Sequence, residues 1–205
     1  MEIVAIGGMP VDLEIGCLGT LSKFQKQGHK VSLVAVGKKN MWTKKMVNKF
    51  KELAMKIGTS QVYFTDRFDY SGVTQDNVNV LRTIIEPIHP SVAIFPFNMG
   101  YDQKSKIISE SSLLACRSIE NVLMYEIHKN KIFLPNVYFV LDDKTSENTS
   151  SFSRIYAKDA KKKNSNNKLR SIHKFYAKIA RINSPVEAFV SHRTILLNNS
   201  GFGGI

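Results

Sequence analysis

Short apolar runs closed by glycine or proline, each followed by a stretch of helical periodicity, constrain this chain more than any other feature. "EIVAIGG" (2–8) reads as a buried parallel strand. A helix from about Asp12 to Gln27 should follow, with Leu13, Cys17, Leu21 and Phe24 on one face and Gly28 as its stop. The cycle repeats: "KVSLVAVG" (30–37), then residues 41–57 with Val47, Phe50, Ala54 and Ile57 on one side and lysines on the other. "QVYFT" (61–65) precedes a helix marked by Val78, Leu81, Ile85 and Ile88, and Pro90 breaks that helix before "SVAIFPF" (91–97). A helix from about Lys104 to Ser118 and the strands "VLMYEI" and "NVYFVL" (136–141) follow. Residues 142–151 are polar, lack periodicity and read as a mobile loop; from 152 to 182 a lysine-rich helical signal returns, interrupted by "KKNSNN". This alternation predicts a single α/β domain over residues 1–205, an open and mostly parallel sheet covered by helices.

Sheets of that kind collect ligands at the carboxyl ends of their strands. The two loops to watch are therefore Gly7–Asp12 and Asn98–Gln103. A chain of 205 residues can bury a full core. It has no apolar span of about 20 residues, and its start is strand-like rather than a charged leader, so neither a membrane helix nor secretion is expected. The two cysteines, Cys17 and Cys116, lie within expected helices and form no disulfide or zinc framework, which fits a reducing cytoplasm. The formal charge is +12, from 29 basic and 17 acidic residues. Such a surface attracts polyanions non-specifically, but lysine without interleaved arginine and exposed aromatics is weak evidence for nucleic-acid recognition, so none beyond non-specific electrostatics is expected.

The stretch "MPVDLEIGCLGTLSKFQKQGHKV", together with "IEPIHPSVAIFPF", "YEIHKNKIFLPNVYFVLDD" and "SPVEAFVSHR", resembles the PIG-L/LmbE family of zinc-dependent N-acetylglucosaminyl deacetylases. The pieces occur in the family's order across most of the chain. The resemblance implies that family's fold, a Rossmann-like three-layer sandwich with a mostly parallel sheet.

What the resemblance implies for chemistry is different. In the family motif His-Pro-Asp-Asp-x-Glu, the His and second Asp bind zinc and the first Asp is the general base. Carried over by position, the ligand His is Met9, the base is Val11, and only the ligand Asp persists, as Asp12. The second motif, His-x-Asp-His, falls on "GYDQ": its first His is Gly100, its Asp is Asp102, and the third ligand is Gln103. Leu18 also stands where the pattern has glycine. A catalytic zinc needs three good ligands and a water, and neither thioether nor neutral amide replaces imidazole. Without the metal, water keeps its pKa of about 15.7. Loss of the base removes roughly a further 10²–10⁴.

These readings predict a deacetylase-like protein without zinc or any other cofactor, with Met9, Asp12, Tyr101 and Gln103 lining a substrate-type pocket. Val11, Gly100 and Asp102 are vestigial catalytic positions. A sugar or nucleotide-sugar is the expected ligand, and a second copy or an active paralogue the expected partner. The alternative is an active deacetylase with a rearranged zinc site, rebuilt from His29, His89, His128, His173 or His192. Asp12, Asp102 and Gln103 together could also hold a hard cation. Asp12 and Asp102 are equally readable as helix caps. Glu187 should tie the C-terminal segment to the body, and Tyr125 and Glu126 should supply packing and a buried hydrogen bond. Trp42 and Tyr101 are sugar-stacking candidates, more simply read as packing.

Overall fold

A seven-stranded sheet in the order β3-β2-β1-β4-β5-β7-β6 organises the protein. The computed structural model describes residues 1–99, 102–127, 132–142, 145 and 165–195, with backbone alone at 165–168. In chain order the elements are β1 (Glu2–Gly7), α1 (Pro10–Gly16), α2 (Leu18–Lys26), β2 (Lys30–Val36), α3 (Lys44–Ile57), β3 (Val62–Thr65) and α4 (Gln75–Ile85). After a 3-10 turn (Glu86–Ile88) come β4 (Val92–Pro96), α5 (Gln103–Ala115), β5 (Asn121–Tyr125), β6 (Val137–Val140), α6 (Ser165–Ile179) and β7 (Val186–Arg193). Strands β1 to β5 are parallel; β7 runs antiparallel between β5 and β6.

The period-2 alternation of β1 divides the core. Ile3 and Ala5 pack with Leu13, Leu21, Phe50 and Leu53 of α1, α2 and α3. Val4 and Ile6 join Val78, Leu81, Ile107, Ile108 and Tyr176 of α4, α5 and α6. Helices thus cover both faces, and β1 beyond Glu2 and all of β4 are apolar and buried because neither face meets water. None of the helices described is long and apolar enough to cross a membrane.

Two expectations need correction, and one strand had no expectation set for it. The helix expected from Asp12 to Gln27 is two helices, broken at Cys17 (φ −156°, ψ 10°). Gly16 and Gly19 flank the break and weaken helix continuation there. The segment "VEAFVSHR" is the strand β7, although its sequence carried only a family likeness. Its apolar and β-branched residues are satisfied by antiparallel pairing with Phe139 and Val140 on one side and Met124 and Tyr125 on the other. Finally, α3 starts at Lys44 rather than residue 41, because the Thr43 hydroxyl accepts the Met46 amide at 3.3 Å and caps the helix. Most of the polar 142–151 segment lies outside the described residues.

Candidate functional site

The connections of β1 and β4 set the position of the site. From β1 the chain turns through α1 and α2 to β2 on one side, whereas β4 leads through α5 to β5 on the other. The connections leaving their carboxyl ends therefore run in opposite directions, the arrangement that makes a crevice at the switch point of such a sheet. The loop after β1 delivers Met9 and Asp12 to it, and the loop after β4 delivers Asp102 and Gln103. Gly8 packs closely here: a Cβ would sit 2.9 Å from Ile108 Cδ1, which would have to move, and 3.9 Å from both Asp12 Oδ2 and Val36 O.

Each carboxylate of the crevice serves a helix start. The Met9 amide donates to Asp12 Oδ2 at 2.9 Å, closing the first turn of α1. Asp102 caps α5, its Oδ2 accepting from the Ser105 amide at 3.1 Å and from the Ser105 hydroxyl. Burial lifts the Asp12 carboxyl to about 6; the Met9 amide pulls it down and the charge of Asp102 adds to the rise. Met9 is 40% exposed and Gln103 is exposed, so neither is held against the carboxylates by the core. Val11 is half-buried on α1. Tyr101 and Gly100 lie outside the described residues.

Tyr70 belongs to the same edge and was missed in the sequence. Its hydroxyl donates to Val36 O at 2.9 Å, and Lys104 Nζ stands 5.7 Å from its ring centroid. Burial, then the charges of Asp12 and Asp102, raise its hydroxyl to about 12. The available signal was positional, since Tyr70 follows β3 at the carboxyl edge of the sheet. Lys104, in the first turn of α5, was passed over as one lysine among many.

The described histidines do not converge on this crevice. His29 faces the N-terminus at 3.3 Å, His89 and His192 are exposed, and His173 is buried in α6. His128 lies outside the described residues. Among the described residues no group of three or more His, Cys, Asp or Glu is placed to hold a metal. Trp42 donates its indole N–H to Thr65 O at 2.7 Å and packs edge-on against Phe50 and Phe64, so its ring is a core group rather than a stacking platform. Cys17 and Cys116 are free and buried. Tyr125 donates to Ile6 O at 3.0 Å, and Glu126 accepts from Tyr176 at 2.6 Å.

The fold has known counterparts. The chain superposes on N,N'-diacetylchitobiose deacetylase from Pyrococcus horikoshii with a TM-score of 0.74 and 18% identity, covering 92% of this chain and 82% of that one. This is a deacetylase fold. The conserved protein TT1542 from Thermus thermophilus matches with a TM-score of 0.77 at 14% identity, over 98% and 99% of the two chains. In sequence, the deacetylase-fold chain is 29% identical over 147 residues to the uncharacterized deacetylase YaiS of Escherichia coli (strain K12), spanning 66% of this chain and 80% of that protein. No protein-family model matches it.

Proposed function

We propose that the crevice of this deacetylase-fold protein binds a sugar or nucleotide-sugar and does not carry out zinc-dependent amide hydrolysis. The observation behind this reading is the donor set. Of the positions that hold zinc and base in the family it resembles, two are a thioether and an amide on exposed side chains, one is valine, and one is Asp12. Asp12 already accepts a backbone amide, and Asp102 is likewise occupied at Ser105. A catalytic zinc does not fit such residues: one carboxylate cannot supply three ligands, and neither Met9 nor Gln103 offers imidazole. Two acceptor carboxylates, a tyrosine and a lysine at a strand-end crevice suit the hydroxyls and amide of a sugar instead. The protein would act alone, as a second copy's partner, or beside an active relative.

Metal analysis of protein purified without chelators, together with acetate release from N-acetylglucosamine conjugates, tests the proposal. Far less than one zinc per chain, no acetate, and saturable binding of the sugar are the expected results. Stoichiometric zinc with acetate release would replace it by the other reading, an active deacetylase with a rearranged metal site.

A further inference from the structure

The rim of the crevice is as unusual as its floor. From residue 15 to residue 51 the chain contains nine lysines and no aspartate or glutamate. Six of those lysines, Lys38, Lys39, Lys44, Lys45, Lys49 and Lys51, fall between β2 and the middle of α3. Lys38, Lys39, Lys44 and Lys45 are exposed, and none of them takes part in the ion pairs among the described residues, Lys30–Glu2, Lys56–Glu14, Arg82–Glu86 and Lys106–Glu110. Lys44 and Lys45 occupy the first turn of α3, where the helix dipole disfavours cations. Local electrostatics therefore oppose this concentration of charge rather than explain it.

Position separates these lysines from a merely solubilising surface. Strand β2 lies beside β1 in register, Gly7 opposite Ala35, so the chain leaving β2 emerges next to Gly8 and Met9. The exit is a tight turn closed by the Met41 amide on Lys38 O at 3.1 Å, with Asn40 in the left-handed region (φ 65°). Trp42 pins it from behind. Its ring lies on Gly37, where a Cβ would come within 2.6 Å of Trp42 Cζ2, and its indole is tied to Thr65 O. Phe50 and Phe64 hold the ring edge-on at 5.6 and 5.2 Å. A half-buried indole thus fixes a turn whose exposed residues include Lys38 and Lys39. On the α5 side, Lys104 stands over Tyr70.

We propose that the crevice selects a phosphorylated sugar, with Lys38 and Lys39 on the anchored turn and Lys104 across from them receiving the phosphate, while Asp12 and Asp102 face the sugar hydroxyls. This rests on the sugar-binding reading and gives it a substrate class. Phosphate is favoured over carboxylate because the rim offers compact ammonium charges, whereas a planar carboxylate is matched best by the fork of an arginine.

Calorimetric titration of the full chain with N-acetylglucosamine, N-acetylglucosamine 6-phosphate and inorganic phosphate decides the matter. The variants are Lys38→Gln/Lys39→Gln, Lys104→Gln, and Lys26→Gln/Lys178→Gln as a control of equal charge change at exposed positions of α2 and α6. The wild type should prefer the sugar phosphate to the neutral sugar by about tenfold or more. Lys38→Gln/Lys39→Gln should lose that preference while keeping neutral-sugar affinity, Lys104→Gln should lose the preference as well, and the control should retain it. Equal affinity for both sugars would overturn the phosphate assignment and leave the sugar reading standing. An equal loss in the control would reduce the effect to net charge and also overturn it. Inorganic phosphate binding as tightly as the sugar phosphate would overturn the selection of a sugar, and absence of binding by both sugars would remove both proposals together.

Discussion

Glu187, on the last strand, accepts the backbone amide of Gly19 at 2.8 Å across 168 residues of sequence, and its other oxygen takes the Thr20 amide at 2.7 Å. These are first-turn amides of α2, free because the helix breaks at Cys17. A buried carboxylate thus serves as an N-cap from another part of the chain. Glu187→Ala should destabilise the protein by about 3 kcal/mol, since two buried donors lose their acceptor. Glu187→Gln should cost about 1 kcal/mol, because its oxygen replaces one bond while its NH₂ faces a donor. Urea melts of both variants provide the measurement. Wild-type stability in Glu187→Gln would show that the charge contributes nothing there.

Gly16 and Tyr125 make a second long-range lock. An added Cβ on Gly16 would lie 2.1 Å from Tyr125 Cδ2, and that ring is fully buried with its hydroxyl on Ile6 O. Neither partner can yield. Gly16→Ala should therefore lower stability by about 3 kcal/mol despite alanine's better helix propensity. Tyr125→Phe, which removes only the hydroxyl's bond to Ile6 O, should lose about 1 kcal/mol. A neutral or raised melting temperature for Gly16→Ala would mean that α1 sits further from β5 than described.

Much of this architecture is legible in local pattern. Strand β1 and the helix at α3 announce themselves because burial repeats at periods of 2 and 3.6 within a few residues, and the parallel order follows from their alternation. The break at Cys17 is not legible, because Leu13, Leu21 and Phe24 keep helical spacing through it; what permits the break is Glu187, at the other end of the chain. Strand β7 is hidden for the same reason, its partners being chosen by tertiary pairing. The crevice could be placed from strand ends alone, and Asp12 and Asp102 were readable as caps from their neighbours. Tyr70 and the role of Trp42 depend on which loops meet at the edge, which no single window contains.

His173 makes stability depend on pH. It is 2% exposed, neither ring nitrogen has a partner among the described residues, and it lines a cavity of about 20 Å³ with Glu126, Tyr176 and Glu187. Burial lowers its pKa to about 4 from the usual 6.5. The unfolded chain therefore takes up this proton first, and stability should fall as pH drops from about 6.5 toward 4, by at most about 3 kcal/mol. Asp12 and Glu14 act in the opposite sense: burial raises them to about 6 and about 7, so they add stability as pH falls through those values. Comparing His173→Leu with the wild type at several pH values cancels these carboxyls. The variant's relative stability should grow steadily below pH 6.5. A difference independent of pH would show that His173 titrates normally in the folded protein.

The strongest test of the crevice is to rebuild it. Met9→His, Val11→Asp and Gln103→His restore imidazole at two positions and a carboxylate at the third, next to the existing Asp12. Met9 is 40% exposed and Gln103 is exposed, so imidazoles can be placed there without displacing core. Val11 is half-buried on α1, and an aspartate in that first turn is favoured by the free amides. The folded triple variant should bind about one zinc per chain, whereas the wild type should not, with metal analysis and calorimetry as the readouts. Each single variant should gain little, because zinc affinity depends on completing the ligand set. Hydrolysis should stay weak even in the triple variant, since Gly100 still occupies the position of the family's other histidine. If the triple variant folds and still takes up no zinc, the two loops are not the counterparts of the family's metal loops. The scaffold would then have changed at the strand ends themselves, and not only in the side chains they carry.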